Sequence, residues 1–446
     1  MQPFMTLAQT SFWKRFVQQP SATVDTVAHA VLISGELDIE TFALAIQHTL
    51  RETDVFRTQF HRAGDMSIMP IETTPTVEVH DFSHLTKARN RAWKEMEQDV
   101  EKAVNLLEKP LTLHRLYQLA PKQFCWYTRA HHILLDGYGM MLFEQRCCQW
   151  YQHLHHNHPL KAAFKPYQDY LAEEAHYCKS TKYQIDKAFW KQYLHSGELK
   201  LTDTDYDLNA SCEISHQVLF EPHFSSRLKD ICQTLAMGWP DALVAITALY
   251  LQQSPLSEEN ESVVWLPFMN RWGSVAAKMP GLMVNIVPYR HKLAPLNCLK
   301  DYLLHCQTAL RELYSHGRYR VEQIERDQGL APHQNYFMTP FINVMPFDAP
   351  CLPGCKMEHQ VLAAGSAEGL NITFRGAPGS EQFCAFIEAD IHSYPQAKLD
   401  QHALDLAVFF ERLLDSGEKE VHRLEHLLNR PLTALLNGKS ALAKSA

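Results

Sequence analysis

"RAHHILLDGYG", residues 129–139, sets two histidines side by side, follows them with three aliphatic residues and ends on Asp136-Gly137 before a further Gly139. Alternation through "QFCWYTRAHH" (123–132) places Phe124, Trp126, Thr128, Ala130 and His132 on one face of a strand and Cys125, Tyr127, Arg129 and His131 on the other. Both faces are largely apolar, which predicts a central strand. The two histidines therefore cannot do the same job: one faces a cleft and the other faces packing. A helix from about 139 to 155 follows, with Met140, Phe143, Cys147, Trp150 and Leu154 on one stripe. Its first amides, near Gly137 to Gly139, lie close to the histidines, and a helix start is a good place to hold developing negative charge.

Three chemistries compete for such a motif. A metal site would use both histidines and Asp136, but adjacent residues on a strand diverge, which suits one ion poorly. A nucleophile triad needs an activated serine or cysteine, and no G-x-S-x-G elbow is present. A single histidine acting as general base for acyl transfer fits best.

The rest of the chain sets the frame. Its 446 residues are 46% hydrophobic and 21% charged with a net charge of -8, a balance that predicts two to three domains, or two large lobes, and shows no nucleic-acid footprint. "MQPFMTLAQTSFWKRF" lacks the long apolar core of a signal peptide, and no run approaches the roughly 18 apolar residues of a membrane span. Eleven cysteines, an odd and scattered set, read as reduced, mostly buried thiols of a cytoplasmic protein.

Periodicity predicts a short helix over 5–18 with Leu7, Phe12, Trp13 and Phe16 on its apolar side. A strand at "VDTVAHAVLIS" and a helix capped by Asp38 with Phe42, Ile46 and Leu50 inside come next. A strand over 55–60, a polar helix near 86–106 and two strands lead into the histidine motif. The charged stretch 172–192 reads as a helical junction between lobes. The second half repeats the mixture: strands at "HQVLFEP", "SVVWLPFMN", "TPFINVMPF", "LNITFRG" and "FCAFIEAD", with helices between them and a closing helix. Two α/β lobes result. The tail "NGKSALAKSA" (437–446) reads as frayed.

HHxxxDG is the signature of the condensation domains of nonribosomal peptide synthetases, members of the chloramphenicol-acetyltransferase-like superfamily, and this chain resembles them over nearly its whole length. "LAQTSFW" (7–13), "RETDVFRTQF" (51–60), "YQDY" (167–170) and "PGLMVNIVPYR" (280–290) resemble the first, second, fourth and fifth family motifs. "HGRYRVEQI" (316–324) and "PFINVMPF" (340–347) sit where the last ones belong. "WLPFMNRWGSVA" and "GSAEGLNITFRG" narrow the likeness to the free-standing amide synthases of catechol siderophore assembly, of the vibriobactin kind. No adenylation domain or phosphopantetheinyl carrier segment accompanies the motif in this sequence, which agrees with a free-standing role.

The resemblance implies a fold of class α/β (α+β): two acetyltransferase-like lobes, 1–180 and 181–446, arranged in a V around a shared tunnel. A crossover within 350–390 would bridge from the second lobe to the first. It implies transfer of a 2,3-dihydroxybenzoyl group from an aryl carrier protein thioester to a soluble polyamine such as norspermidine, with no metal and no bound cofactor, the phosphopantetheine arriving on the carrier. His132 takes the catalytic place. His131 and Asp136 take structural ones, Asp136 paired with an arginine for which Arg290 is the candidate. Gly137 allows close approach of the thioester. Asn343 is a candidate to hold the amine or the oxyanion, or else caps a strand end. Trp272 walls the acceptor channel or sits in a core. "HLHHNHP" (153–159) reads as a solvated helix end rather than a metal site, and Arg318 and Arg320 as an exposed charged turn or a carrier contact. A carrier-bound aminoacyl acceptor, a coenzyme-A-dependent acyltransferase and an inactive recruitment module are the competing functions.

Overall fold

Capping and burial explain why the first elements begin where they do. In the computed structural model the described residues are 5–108, 110–194, 199–201, 213–220, 222–253, 262–291, 299–331, 334–347, 349–365, 369–380, 383–390 and 394–415; the tail 437–446 lies outside them. Helix α1 (Leu7–Gln18) opens on a capping box in which the Thr6 hydroxyl accepts from the Gln9 amide at 3.2 Å and the Gln9 side chain accepts from the Thr6 amide at 3.0 Å. After β1 (Thr26–Gly35), α2 (Ile39–Glu52) is capped by Asp38, as its sequence predicts, and Phe42, Ile46 and Leu50 are fully buried.

The segment 55–60 is not one strand. Asp54–Arg57 winds into a 3-10 turn and only β2 (Thr58–Phe60) is extended. The Arg57 guanidinium explains the turn: it donates to the Arg51 and Met69 carbonyls and to the Asp54 carboxylate, drawing the chain around itself. β3 (Met66–Ile68) pairs with β2, and β4 (Val77–Asp81), α3 (Ala88–Val100), β5 (Thr112–Ala120) and β6 (Gln123–His131) follow.

Strand β6 is central. It lies between β1 and β5 in a five-stranded sheet of order β11-β1-β6-β5-β4, where β11 is Cys355–Ala364. Phe124, Trp126 and Ala130 enter the main core of this lobe, while Cys125 and Tyr127 meet Ala88, Ala92 and Met96 of α3 on the other side. Helix α4 (Gly137–His156) buries Met140, Phe143 and Cys147 against the first face. The stretch 172–192 is two helices, α5 (Tyr167–Tyr177) and α6 (Thr181–Leu194).

The second half adds β7 (Glu213–Leu219), α7 (Pro222–Leu235), α8 (Trp239–Gln253), β8 (Ser262–Phe268) and β9 (Asn285–His291). Then come α9 (Leu299–Ser315), α10 (Val321–Asp327), β10 (Phe341–Met345), β12 (Leu370–Arg375), β13 (Cys384–Asp390) and α11 (Gln396–Asp415). Its six-stranded sheet has the order β7-β13-β12-β10-β8-β9, and its core takes Leu249, Trp265, Ile342, Ile372, Phe374 and Phe410.

Two segments of the second half serve the first. β11 runs antiparallel to β1 from Val27↔Ala364 to Gly35↔Cys355, completing the first sheet's edge. The loop after β8 sends Ala276, Met279 and Met283 into the first core. Among the described residues no helix is long and apolar enough to cross a membrane.

Candidate active site

Each part of the 129–139 stretch has a separate place. His131 ends β6, and its amide donates to the Leu111 carbonyl at 3.2 Å. The chain then turns. The His132 amide donates to the Asp25 carbonyl at 2.7 Å, and the Leu134 amide to the His131 carbonyl at 3.0 Å. The aliphatic spacer is the anchor: Ile133, Leu134 and Leu135 are all fully buried, so the turn cannot slide. The Gln9 side chain fastens it further by donating to the Ile133 carbonyl at 3.3 Å.

His131 is the buried partner. Its Nδ1 accepts from the Ile133 amide at 3.1 Å, which requires an imidazole with a free Nδ1 lone pair. Desolvation pulls its pKa down to about 4, so it stays neutral. His132 is half-buried and differently held. Its ring stacks on Phe12 with centroids 5.1 Å apart and planes 24° apart, and its buried Nδ1 has no hydrogen-bond partner among the described residues. Desolvation lowers its pKa from the ordinary 6.5, partly opposed by the charges of Asp25 and Asp136. A neutral imidazole ready to accept a proton results.

Three residues that sequence reasoning passed over fix that ring. The Arg15 guanidinium lies over the Phe12 ring, 4.7 Å from its centroid, and grips Asp25 through two hydrogen bonds of 3.1 and 2.7 Å. Asp25 in turn holds the His132 amide, so one pair ties α1, β1 and the histidine loop together. Gly365, just past β11, closes the remaining side. It sits at φ +94°, and a Cβ there would lie 2.9 Å from His132 Cδ2. Arg15 and Asp25 are far from HHxxxDG in sequence and carry no local signal; Gly365 begins "GSAEGLNITFRG", one of the segments quoted for the likeness.

Asp136 is fully committed to structure. It caps α4 by accepting from Gly139 N at 2.7 Å, and it accepts from the Met283 and Val284 amides at 2.8 and 2.9 Å. Its charge partner is Arg271, whose Nη2 reaches Oδ1 and Oδ2 at 2.9 and 3.0 Å. The expected partner, Arg290, is wrong. Arg290 lies six residues along from Val284 in β9, about 20 Å at the rise of an extended strand, and its amide donates to the Tyr193 hydroxyl. Arg271 also donates to the Ala276, Met279 and Gly281 carbonyls, so it pins the loop after β8 against the first lobe. Close approach of one backbone to another is demanded at Gly139. A Cβ on Gly139 would sit 2.8 Å from the Gly281 backbone N and O, whereas Gly137 is exposed and would meet only the flexible Met345 methyl at 3.2 Å.

Asn343 lies on β10 opposite Thr373 of β12. Ile342 is buried in the second core, so Asn343 shares the opposite face with Met345, the residue that reaches Gly137. It faces the start of α4. Trp272 corrects its expectation on both counts: it is 92% exposed, neither in a core nor enclosed by a channel. Its neighbour Arg271 takes the inward direction instead. Arg318 and Arg320 are not an exposed turn. Arg318 pairs with Glu173 and covers Tyr177, and buried Arg320 pairs with Glu322 and donates to the Met283 and Val284 carbonyls. In 153–159, His153 bonds the His158 carbonyl through Nδ1 and His155 stacks on Tyr151, around a helix end at Asn157. Among the described residues no three His, Cys, Asp or Glu side chains converge as metal ligands.

A histidine loop braced by α1, capped by a crossover strand and locked through Asp136 to the opposite lobe defines a class. Residues 4–349 match the Condensation domain family, and the chain belongs to that family. Among solved structures it is similar to VibH, a condensation enzyme of nonribosomal peptide synthesis, with 44% identity, 96% of this chain and 100% of that one covered, and a TM-score of 0.87. The first condensation domain of the calcium-dependent antibiotic synthetase shares the fold at 22% identity, with 96% and 99% of the two chains covered and a TM-score of 0.81.

Curated relatives include a dimodular nonribosomal peptide synthase of Bacillus subtilis, 25% identical over 100% of this chain and 19% of its own length. The vanchrobactin synthetase VabF of Vibrio anguillarum is 27% identical over 94% of the chain and 15% of its own, and enterobactin synthase component F of Escherichia coli is 25% identical over 90% and 31%. The chain thus spans less than a third of each of these relatives.

Proposed function

We propose that this chain is an amide synthase, transferring a 2,3-dihydroxybenzoyl group from an aryl carrier protein thioester to a soluble polyamine such as norspermidine. The observation that carries the reading is His132: a half-buried imidazole, kept neutral by desolvation and held by packing against Phe12 and Gly365. End-to-end likeness to a condensation enzyme supports it, as do relatives named for siderophore synthesis.

A primary amine has a pKa of about 10.4, so roughly one molecule in a few thousand is free base at pH 7. His132 accepts the proton that the attacking nitrogen must lose. The nitrogen bonds to the thioester carbon, the carbon–sulfur bond breaks, and the proton passes to the departing pantetheine thiolate. Asn343 holds the amine or the oxyanion across from the start of α4, while exposed Gly137 leaves room for the thioester. General-base assistance of this kind contributes about 10²–10⁴-fold, and holding both substrates in one site contributes as much or more. Phosphopantetheine is supplied by the carrier, and no cofactor of the chain's own is called for.

A second reading, with an aminoacyl group on a second carrier as acceptor, is favoured by the synthetase relatives, each several times longer than this chain. Mass spectrometry of mixtures of enzyme, 2,3-dihydroxybenzoyl carrier protein and either norspermidine, spermidine or an aminoacyl carrier separates the two. Enzyme-dependent amide on the free polyamine supports the first reading. Product only on the second carrier replaces it with the second.

A further inference from the structure

The face of the second sheet that looks toward the histidine loop carries a carboxylate that makes no ion pair among the described residues. In β13, Ala385, Ile387 and Ala389 are fully buried in the second core, so Phe386 and Glu388 point the other way. Register places Asn343 opposite Thr373, Thr373 opposite Phe386 and Asn371 opposite Glu388. Asn343, Asn371, Thr373 and Glu388 therefore share one face. Met345, on that same face, reaches the first turn of α4 beside His132.

Glu388 is half-buried, and burial pushes its pKa up, with Arg375 opposing. Arg375, on the same face, acts on it at a distance and makes no ion pair with it among the described residues; its guanidinium lies over Phe386, 4.9 Å from the ring centroid. Among the described residues the Glu388 carboxylate has one hydrogen bond, a long one of 3.4 Å from the Thr373 hydroxyl. A carboxylate so placed gains from a cationic partner that arrives with the substrate.

We propose that Glu388, with Thr373 beside it, binds the distal ammonium of an alkyl polyamine acceptor while the proximal amine reacts between His132 and Asn343. The inference rests on the amide-synthase reading above and adds its specificity determinant. Spacing supports it. Neighbouring strands are about 4.8 Å apart, and Glu388 lies two strands across and two residues along from Asn343, about 12 Å between backbones. Two trimethylene units separate the end nitrogens of norspermidine by about 10 Å at ordinary C–C and C–N bond lengths, a span the Asn343 and Glu388 side chains can close by reaching toward it.

The test pairs one variant with two amines. N-propyl-1,3-diaminopropane keeps the reacting end and the carbon chain of norspermidine but lacks the far ammonium. Glu388→Gln is expected to raise KM for norspermidine about tenfold, with kcat within about twofold, and to leave N-propyl-1,3-diaminopropane unchanged. Equal effects on both amines, or none on either, overturn the proposal. Should the variant not fold, the wild-type enzyme decides alone: about tenfold higher kcat/KM for norspermidine supports the inference, and equal values overturn it. Norspermidine turnover indifferent to Glu388 leaves the amide-synthase reading standing. Acylation of carrier-bound acceptors only removes both.

Discussion

Asp136 receives hydrogen bonds from three backbone amides and a guanidinium, and it is 4% exposed. His132, four residues earlier on the same turn, is half-buried, holds a ring nitrogen without a partner among the described residues and is fixed by the face of Phe12 and the backbone of Gly365. One end of the turn is saturated and the other is left open. Saturation makes a group structural, because every lone pair already has an owner and removing any partner strands the rest. An imidazole held by its faces keeps a nitrogen for chemistry and still cannot wander. The same contrast recurs in the second lobe, where Arg320 is fully partnered and Glu388 is not.

Removing the open end should cost rate and little else. His132→Ala is expected to lower kcat/KM about 10²–10⁴-fold. Its stability loss is expected to stay near 1 kcal/mol, the worth of a lost aromatic contact. Because burial holds the pKa of His132 below 6.5, the wild-type kcat/KM profile should carry an acid step below that pH, separate from the amine's own ionisation, and the alanine variant should lack it. An acid step that survives in the alanine variant, or a rate within threefold of wild type there, would break the contrast by showing that positioning alone carries the reaction.

Damage to the saturated end should appear as instability. Arg271→Ala leaves Asp136 buried and uncompensated, and the expected loss is about 3–5 kcal/mol in denaturant melts. Arg290→Ala is the control, since it leaves the Asp136 pair intact and should lose distinctly less. If the two variants melt alike, the Asp136–Arg271 pair is not what joins the loop after β8 to α4.

His131 provides the pH test. Its folded pKa is lowered to about 4 against about 6.5 unfolded, so the unfolded chain binds the proton first as pH falls. Its contribution is whole above pH 6.5 and is lost progressively toward pH 4, at most about 1.4 kcal/mol per pH unit. His131→Asn should flatten the acid side of the stability curve by about that slope. An unchanged slope would mean that the other buried histidines, among them His114 with its pKa near 3, govern acid unfolding.

Much of this was readable in the chain. A strand apolar on both faces had to be central, and β6 is; Asp38 ahead of a four-residue apolar repeat had to start a helix, and α2 begins there. HHxxxDG located the turn and the structural place of Asp136. What escaped was long-range. β11 reads "CKMEHQVLAA", with too many polar residues to declare a strand, because one of its sides is the sheet's edge. Arg271 looked no different from Arg290, since nothing local says which arginine will find a carboxylate 135 residues away. Phe12 was placed correctly on the apolar side of α1, yet its partner His132 is set by tertiary packing alone.

Arg271 and Trp272 are adjacent and give the smallest expected effect its meaning. One is 1% exposed and the other 92%, so a single peptide bond separates the lock between lobes from open solvent. The inward turn of Arg271 is enforced by its five hydrogen bonds to Asp136, Ala276, Met279 and Gly281. Gly273, at φ +69°, then lets the chain bend away and leaves Trp272 outside. Such a side chain contributes nothing to folding that solvent does not already supply. Trp272→Ala is therefore expected to change stability by less than about 0.5 kcal/mol. The same variant should leave KM for the free amine within about twofold, because an indole in solvent does not wall a channel. A tenfold rise in KM for the amine alone would show that the loop folds inward when substrate is bound, which would sharpen the contrast by giving the lock a moving neighbour.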